Sequence, residues 1–243
     1  HYAPNNATVI LLGDIDFKET ISIVEKYFGS IPSAELTDEV IPVEEIQKKE
    51  REKDLFVDAS FPWLAVAYHI PEAAHDDIPM LELIGNILTS GRSSRLHRKI
   101  IYEDQSALSV FASVDNNKAP GLFVITVNSI KQGHTLEEVE SVANESLERL
   151  KTEMVTEREL EKAINQMETN LVFGLQTNFV KGMRIGFSLA RTGEPLGFVK
   201  KLESYRHATA KDIQKVAIKY FTPENRTIIR LIPKGNSEIP IPK

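Results

Sequence analysis

The side chains best equipped for recognition chemistry lie together in one run, Gly91-Arg92-Ser93-Ser94-Arg95-Leu96-His97-Arg98. Its hydroxyls can donate and accept hydrogen bonds. Its guanidinium groups can grip carbonyl or carboxylate oxygens as planar forks. Arg92, Ser93, Ser94, Arg95 and Arg98 are the candidate binding residues. The competing reading is structural: these arginines would cap helices or pair with Glu and Asp. The rest of the chain is thin in chemistry. The six histidines are scattered, and surface or hydrogen-bonded roles suit each of them. There is no cysteine, which excludes disulfides and thiolate metal sites. No residue is assigned a catalytic role, and none is assigned as a metal ligand.

The elements that must position this run are legible around it. Asp76 and Asp77 can cap a helix and Pro79 suits its first turn. Met80, Leu83, Ile84, Ile87 and Leu88 then make an apolar stripe at helical spacing. Gly91 interrupts. A second short helix is expected from Ser93 or Ser94, carrying Leu96, Ile100 and Ile101 inward. Beyond Asp104 the period changes, and Leu108, Val110, Ala112 and Val114 alternate as a strand.

The flanking chain follows the same logic. Thr8 to Leu12 is a continuous apolar run, expected as a strand buried on both faces. Asp16 and Glu19 open a helix that carries Ile21, Val24 and Phe28 and stops at Gly29. Residues 35–54 are charged and hold Pro42, which suggests a solvated linker. A strand is expected over 53–57 and another over 63–70, ended by Pro71. A turn at Asn116-Asn117 and Pro120-Gly121 leads to a return strand over 122–127. Thr135 with Glu138, Thr156 with Glu159, and Thr209 with Asp212 open helices. Further helices are expected over 178–192 and around Phe198 to Leu202, and a closing strand over 227–232.

Pro4-Asn5-Asn6-Ala7-Thr8-Val9-Ile10 has an echo in Pro223-Glu224-Asn225-Arg226-Thr227-Ile228-Ile229. Read as a repeat, it implies the tail of one unit of roughly 220 residues followed by a complete second unit. The chain opens at His1 without Met, so a longer upstream polypeptide is expected. A formal net charge of −6 and the lack of a basic block argue against nucleic acid as a partner. No apolar run approaches membrane-spanning length. The compartment stays open, with bacterial cell envelope, periplasm and cytoplasm all compatible.

Three stretches together resemble the insulin-degrading enzyme / pitrilysin family of zinc metallopeptidases, which includes the mitochondrial processing peptidases. They are HYAPNNATVILLGDIDFKETISIVEKYFGSIP, GRSSRLHRKI, and the helix from Thr156 with Glu159, Leu160 and Asn170. The resemblance implies an α+β fold of the LuxS/metallopeptidase kind, an antiparallel-rich sheet with helices packed on it. One complete unit would follow the strand–helix tail of another. The implied boundaries are residues 1–33 for the tail of a zinc-type unit, 34–53 for a charged linker, and 54–243 for a complete non-zinc unit. In such a family two units enclose an extended peptide, and the first carries His-x-x-Glu-His for Zn²⁺ and its attacking water.

This chain departs from that pattern. His69-Ile70-Pro71-Glu72-Ala73 lacks the second imidazole, Pro71 breaks the helix the motif needs, and His75 lies past the spacing. His1, His97, His134 and His207 do not supply it. Zinc is thus expected outside this segment, in an upstream half or a partner chain. The Arg and Tyr that such later units offer to a substrate carbonyl fall at Ile101 and Leu108, with Tyr102 adjacent to the first. The resemblance therefore implies the later, substrate-enclosing domain of a zinc metalloendopeptidase, inactive alone. It also implies a role toward substrate for Arg92, Ser93, Ser94, Arg95 and Arg98. It would work with an N-terminal zinc-binding half or a catalytic subunit and an extended peptide, and a homodimer is compatible. The alternative is a non-catalytic subunit or a structural and assembly protein of the same fold.

Overall fold

The chain's architecture, taken from a computed structural model, is described for residues 2–36 and 44–234. Pro4–Asn6 forms a 3-10 turn, and helix α1 spans Phe17–Phe28 with the Asp16 carboxylate accepting the Glu19 N–H. Strands β1 (Arg51–Val57) and β2 (Trp63–Ile70) precede α2 (Ile78–Thr89). A π-wound segment, His97–Glu103, leads to strands β3 (Ala107–Asp115) and β4 (Gly121–Ile130). Helices α3 (Leu136–Thr152), α4 (Glu157–Gly174), α5 (Asn178–Thr192), α6 (Gly197–Arg206) and α7 (Ala210–Tyr220) follow. A second 3-10 turn at Pro223–Asn225 introduces β5 (Arg226–Pro233). Among the described residues no helix is long and apolar enough to cross a membrane.

Contacts divide the chain into two units. One comprises His1–Ile46 with Asn170–Phe198, the other Gln47–Thr169 with Val199–Lys243. This division draws 170–198 together with the N-terminal segment, whereas the sequence-read boundaries ran at 33 and 53.

The larger unit is built on a five-stranded sheet of order β1-β5-β2-β4-β3, in which only β1 and β5 run parallel. The α+β fold with an antiparallel-rich sheet is thus present. Side chains alternate along β2 as the pleat requires. Leu64, Val66, Tyr68 and Ile70 join one core with Phe123, Ile125 and Val127 of β4, while Ala65 and Ala67 take the other face. Leu81, Leu83, Ile84 and Leu88 of α2, Val139 and Leu147 of α3, and Ile213 and Val216 of α7 complete this core. Phe221 packs edge-on against both Tyr68 and Phe123, and burial pushes the Tyr68 hydroxyl up to about 12. Reciprocal capping boxes open α3 at Thr135/Glu138, α4 at Thr156/Glu159 and α7 at Thr209/Asp212.

The smaller unit holds the 3-10 turn, α1, the end of α4 and α5. Neither α1 nor α5 has a buried residue. Gly182 and Gly186 bring α5 close to the 8–12 segment: a Cβ at Gly182 would come 2.9 Å from Leu12 and one at Gly186 3.4 Å from Ile10.

Four expectations are corrected. Residues 8–12 form no strand among the described residues, and Val9 and Leu11 are exposed at 50% and 51%. A strand is a paired object, and no neighbour offers this segment a ladder. The solvated linker ends sooner than read. Residues 37–43 lie outside the described residues, but Gln47 is buried, donates to the Arg226 carbonyl at 2.7 Å and accepts from the Thr227 hydroxyl at 3.1 Å. β1 then starts at Arg51. Asp77 occupies the N-cap position of α2 without capping it, because its carboxylate is taken by Lys219 Nζ (2.6 Å) and the Tyr220 hydroxyl (2.8 Å). The short helix expected after Ser93 is π-wound from His97, with the Asp104 N–H reaching back five residues to the Lys99 carbonyl.

Candidate functional site

The 91–98 run is a turn between α2 and the π-wound segment, and its backbone is held from below. Gly91 sits at φ 79, a left-handed conformation that a side chain would strain. Ser94 is buried and returns both its N–H (3.1 Å) and its hydroxyl (2.7 Å) to the Gly91 carbonyl. Lys162 of α4 donates to the Ser90 carbonyl at 3.1 Å and to the Ser93 hydroxyl at 3.0 Å. So Ser93 and Ser94 spend their polar atoms on holding the turn.

The three arginines separate by role. Arg95 forks onto Glu159, Nε at 2.7 Å and Nη2 at 3.0 Å. The same carboxylate also accepts from the Thr156 N–H and hydroxyl, so one glutamate both opens α4 and docks the turn on it. The Arg95 guanidinium, assisted by Thr156, outweighs the burial that would raise it and holds the Glu159 carboxyl down at about 2. Arg95 Nη1 is left buried and unpartnered. Arg98 pairs with Glu103 at 2.8 Å on the surface. Arg92 is exposed and has no hydrogen bond or ion pair among the described residues. Its guanidinium is the one of these three still available to a ligand.

Around the turn, the π winding places His97 and Tyr102 five residues apart on one face, with rings 5.5 Å apart and Tyr102 47% exposed. Ile101 is half-buried against the core, and Leu108 is 59% exposed on β3. An extended peptide can bind by adding a strand to an open sheet edge. β1 presents Arg51, Glu52, Lys53 and Asp54 at its edge, the pattern that discourages strand addition. On β3 the outward N–H of Ala112 is already donated to the Thr89 hydroxyl of α2 at 3.0 Å, which interrupts that edge mid-strand.

The histidines are held apart. The 71–77 loop is not helical, so His69, Glu72 and His75 do not share a helix face. His75 Nδ1 accepts the Asp77 N–H at 3.0 Å, His134 stands 3.4 Å from Glu138, and His207 Nδ1 lies 2.8 Å from the Glu203 carbonyl. Among the described residues no three His, Cys, Asp or Glu side chains are grouped to hold a metal. These residues do not fit a zinc centre, which needs three convergent protein ligands.

One cluster gave no sequence signal. Glu82, set within the apolar stripe of α2, accepts from Asn116 (2.7 Å), Lys201 (2.8 Å) and the Tyr205 hydroxyl, tying α2 to the β3–β4 turn and α6. Its partners are far apart in the chain, and no spacing rule links them.

Comparison with known proteins gives these features a family. Zinc protease PqqE of Helicobacter pylori is 22% identical over 245 residues, covering 96% of this chain and 53% of its own length. An uncharacterized zinc protease of Bacillus subtilis, YmxG, is 24% identical over 237 residues, covering 97% and 56%. A crystal structure of a protease from Helicobacter pylori superposes with a TM-score of 0.85 at 22% identity, covering 96% of this chain and 56% of that one. The chain thus spans about half the length of the curated relatives it matches. Residues 1–167 match the family described as the peptidase M16 inactive domain, and the chain belongs to that family.

Proposed function

We propose that this chain is the non-zinc, substrate-enclosing part of a zinc-dependent metalloendopeptidase acting on peptides. Hydrolysis would be carried by a zinc-binding half or a catalytic partner subunit. The observation that carries this reading is the dispersal of the chain's imidazoles inside a fold whose family is described as inactive. In this reading residues 1–33 are the tail of the zinc-type unit, the connection runs from 34 to the start of the sheet-bearing unit at Gln47, and the complete non-zinc unit follows. Zinc, bound elsewhere, would supply the activated water. This chain would supply the opposite wall of the chamber and contacts to the peptide.

Within that wall Arg92 is the proposed ligand contact. Its guanidinium is exposed and uncommitted, and the turn that carries it is fixed by Ser94 and Lys162. Arg95, Arg98, Ser93 and Ser94 are proposed to shape the turn that presents it. A fixed cation can orient a peptide carbonyl or carboxylate without taking part in proton transfer.

Calorimetric zinc titration of this chain is expected to show no tight stoichiometric site. The gene product read through upstream of His1 is expected to bind one zinc and cleave an unstructured peptide. In that product Arg92→Gln should raise KM about three- to tenfold with kcat little changed, the signature of uniform binding. Tight zinc binding by this chain alone, or an upstream sequence without a His-x-x-Glu-His motif, would favour a scaffold or assembly subunit instead.

A further inference from the structure

Helix α5 carries an apolar ridge that, among the described residues, is touched at its C-terminal end by Arg191 of the same helix, 5.2 Å over the Phe187 ring, and is otherwise exposed. Phe179, Met183 and Phe187, at i, i+4 and i+8, are exposed at 77%, 43% and 50%. The adjoining flank of the helix, about 80° around its axis, is seated through Gly182 and Gly186 on Leu12 and Ile10, which leaves the ridge outside that contact. Beside the ridge, the Arg184 guanidinium lies flat on Gly174, where a Cβ would come 2.5 Å from Nη2. Arg184 Nε is buried with no acceptor, and the side chain has no ion pair among the described residues. Its position at the last residue of α4 is favourable for a cation, yet leaves that N–H unsatisfied. α5 also holds Lys181 and Arg191 and no acidic residue.

The geometry points to α5 as the seat of the remaining half of the polypeptide, which covers Phe179, Met183 and Phe187 and sets a carboxylate against Arg184. This rests on the reading above that such a half exists. Three observations select that occupant. The matched relatives are nearly twice as long as this chain. In the same unit α1 has no buried residue either, so the uncovered area exceeds one helix face. A second copy docking symmetrically would bring another basic α5 against the first and supply no acid.

The test is hydroxyl-radical footprinting of this chain and of the full gene product, side by side. Met183 and Met154 serve as matched reporters, since both are exposed methionines, at 43% and 53%. In the full product, Met183, Phe179 and Phe187 are expected to lose reactivity by about fivefold or more, as buried interface residues do, while Met154 is unchanged. Arg184→Met should lower the melting temperature of the full product and leave that of this chain nearly unchanged. Equal reactivity of Met183 in both samples overturns the proposal. So does concentration-dependent protection of Met183 in this chain alone, which would assign the ridge to a second copy. So does a gene product with no further half. Zinc content and peptide cleavage are scored on the same sample, so protection without either sinks the peptidase reading and leaves the docking face standing.

Discussion

The segment after Pro4–Asn6 and the strand after Pro223–Asn225 begin with the same local chemistry. Both turns are 3-10, both start with proline after an extended N-cap, and both return the following N–H to the proline carbonyl. Beyond that point they part. In the echo register Ile228 stands opposite Val9. Ile228 is 1% exposed, paired to Glu52 on β1 and Val66 on β2. Val9 is 50% exposed and unpaired among the described residues. Local sequence sets the turn and the extended backbone, whereas neighbours on both sides turn an extended segment into a strand.

The largest expected effect breaks the echo at its apolar position. Ile228→Asp should cost about 4 kcal/mol or more in urea unfolding of this chain, an uncompensated charge in the core, while Val9→Asp should cost under about 1 kcal/mol. Comparable losses at the two positions would mean that Val9 is buried after all. Asn225→Ala comes next. Its amide donates to the His69 carbonyl at 3.0 Å and the Tyr220 carbonyl at 2.8 Å, so about 2 kcal/mol should be lost as buried carbonyls go unpaired. Arg95→Met should cost about 2 kcal/mol by leaving Glu159 without its fork.

The Arg95–Glu159 pair also makes a pH prediction. Glu159 has a folded-state pKa of about 2, depressed from the model-compound value of 4.5. Its contribution to stability is therefore complete above pH 4.5 and is lost as pH falls toward 2. Glu159→Gln should flatten that acid limb in thermal melts recorded across the window. An unchanged limb would show that the carboxylate is not held in solution. The smallest effect is expected at the sheet edge: Thr89→Val should cost about 1 kcal/mol and speed exchange of the Ala112 amide.

Much of the larger unit could be read from residues. Thr135 with Glu138 and Thr209 with Asp212 form the boxes their spacing implies; alternation located β3, β propensity located β2, and the turn preceding β4 located that strand. Local hydrogen bonds and a two-residue period are written into adjacent positions. What failed depends on distant ones. Asp77 had the right type and place for a cap but was claimed by Lys219 and Tyr220. Gln47, in a charged stretch, is buried by β5. The π winding of His97–Glu103 follows from backbone bonds to i−5 that no side-chain pattern announces. At the candidate site the run itself was visible, but only partners elsewhere in the chain, Glu159 and Lys162, separate Arg92 from Arg95.

Amide hydrogen exchange tests most directly the proposal that residues 1–33 are the tail of a second unit. In this chain alone the amides of residues 9–12 should exchange within seconds, while those of 228–231 stay protected to the limit of global unfolding. In the full gene product both sets should be protected alike. Fast exchange at 9–12 in both samples would contradict the account.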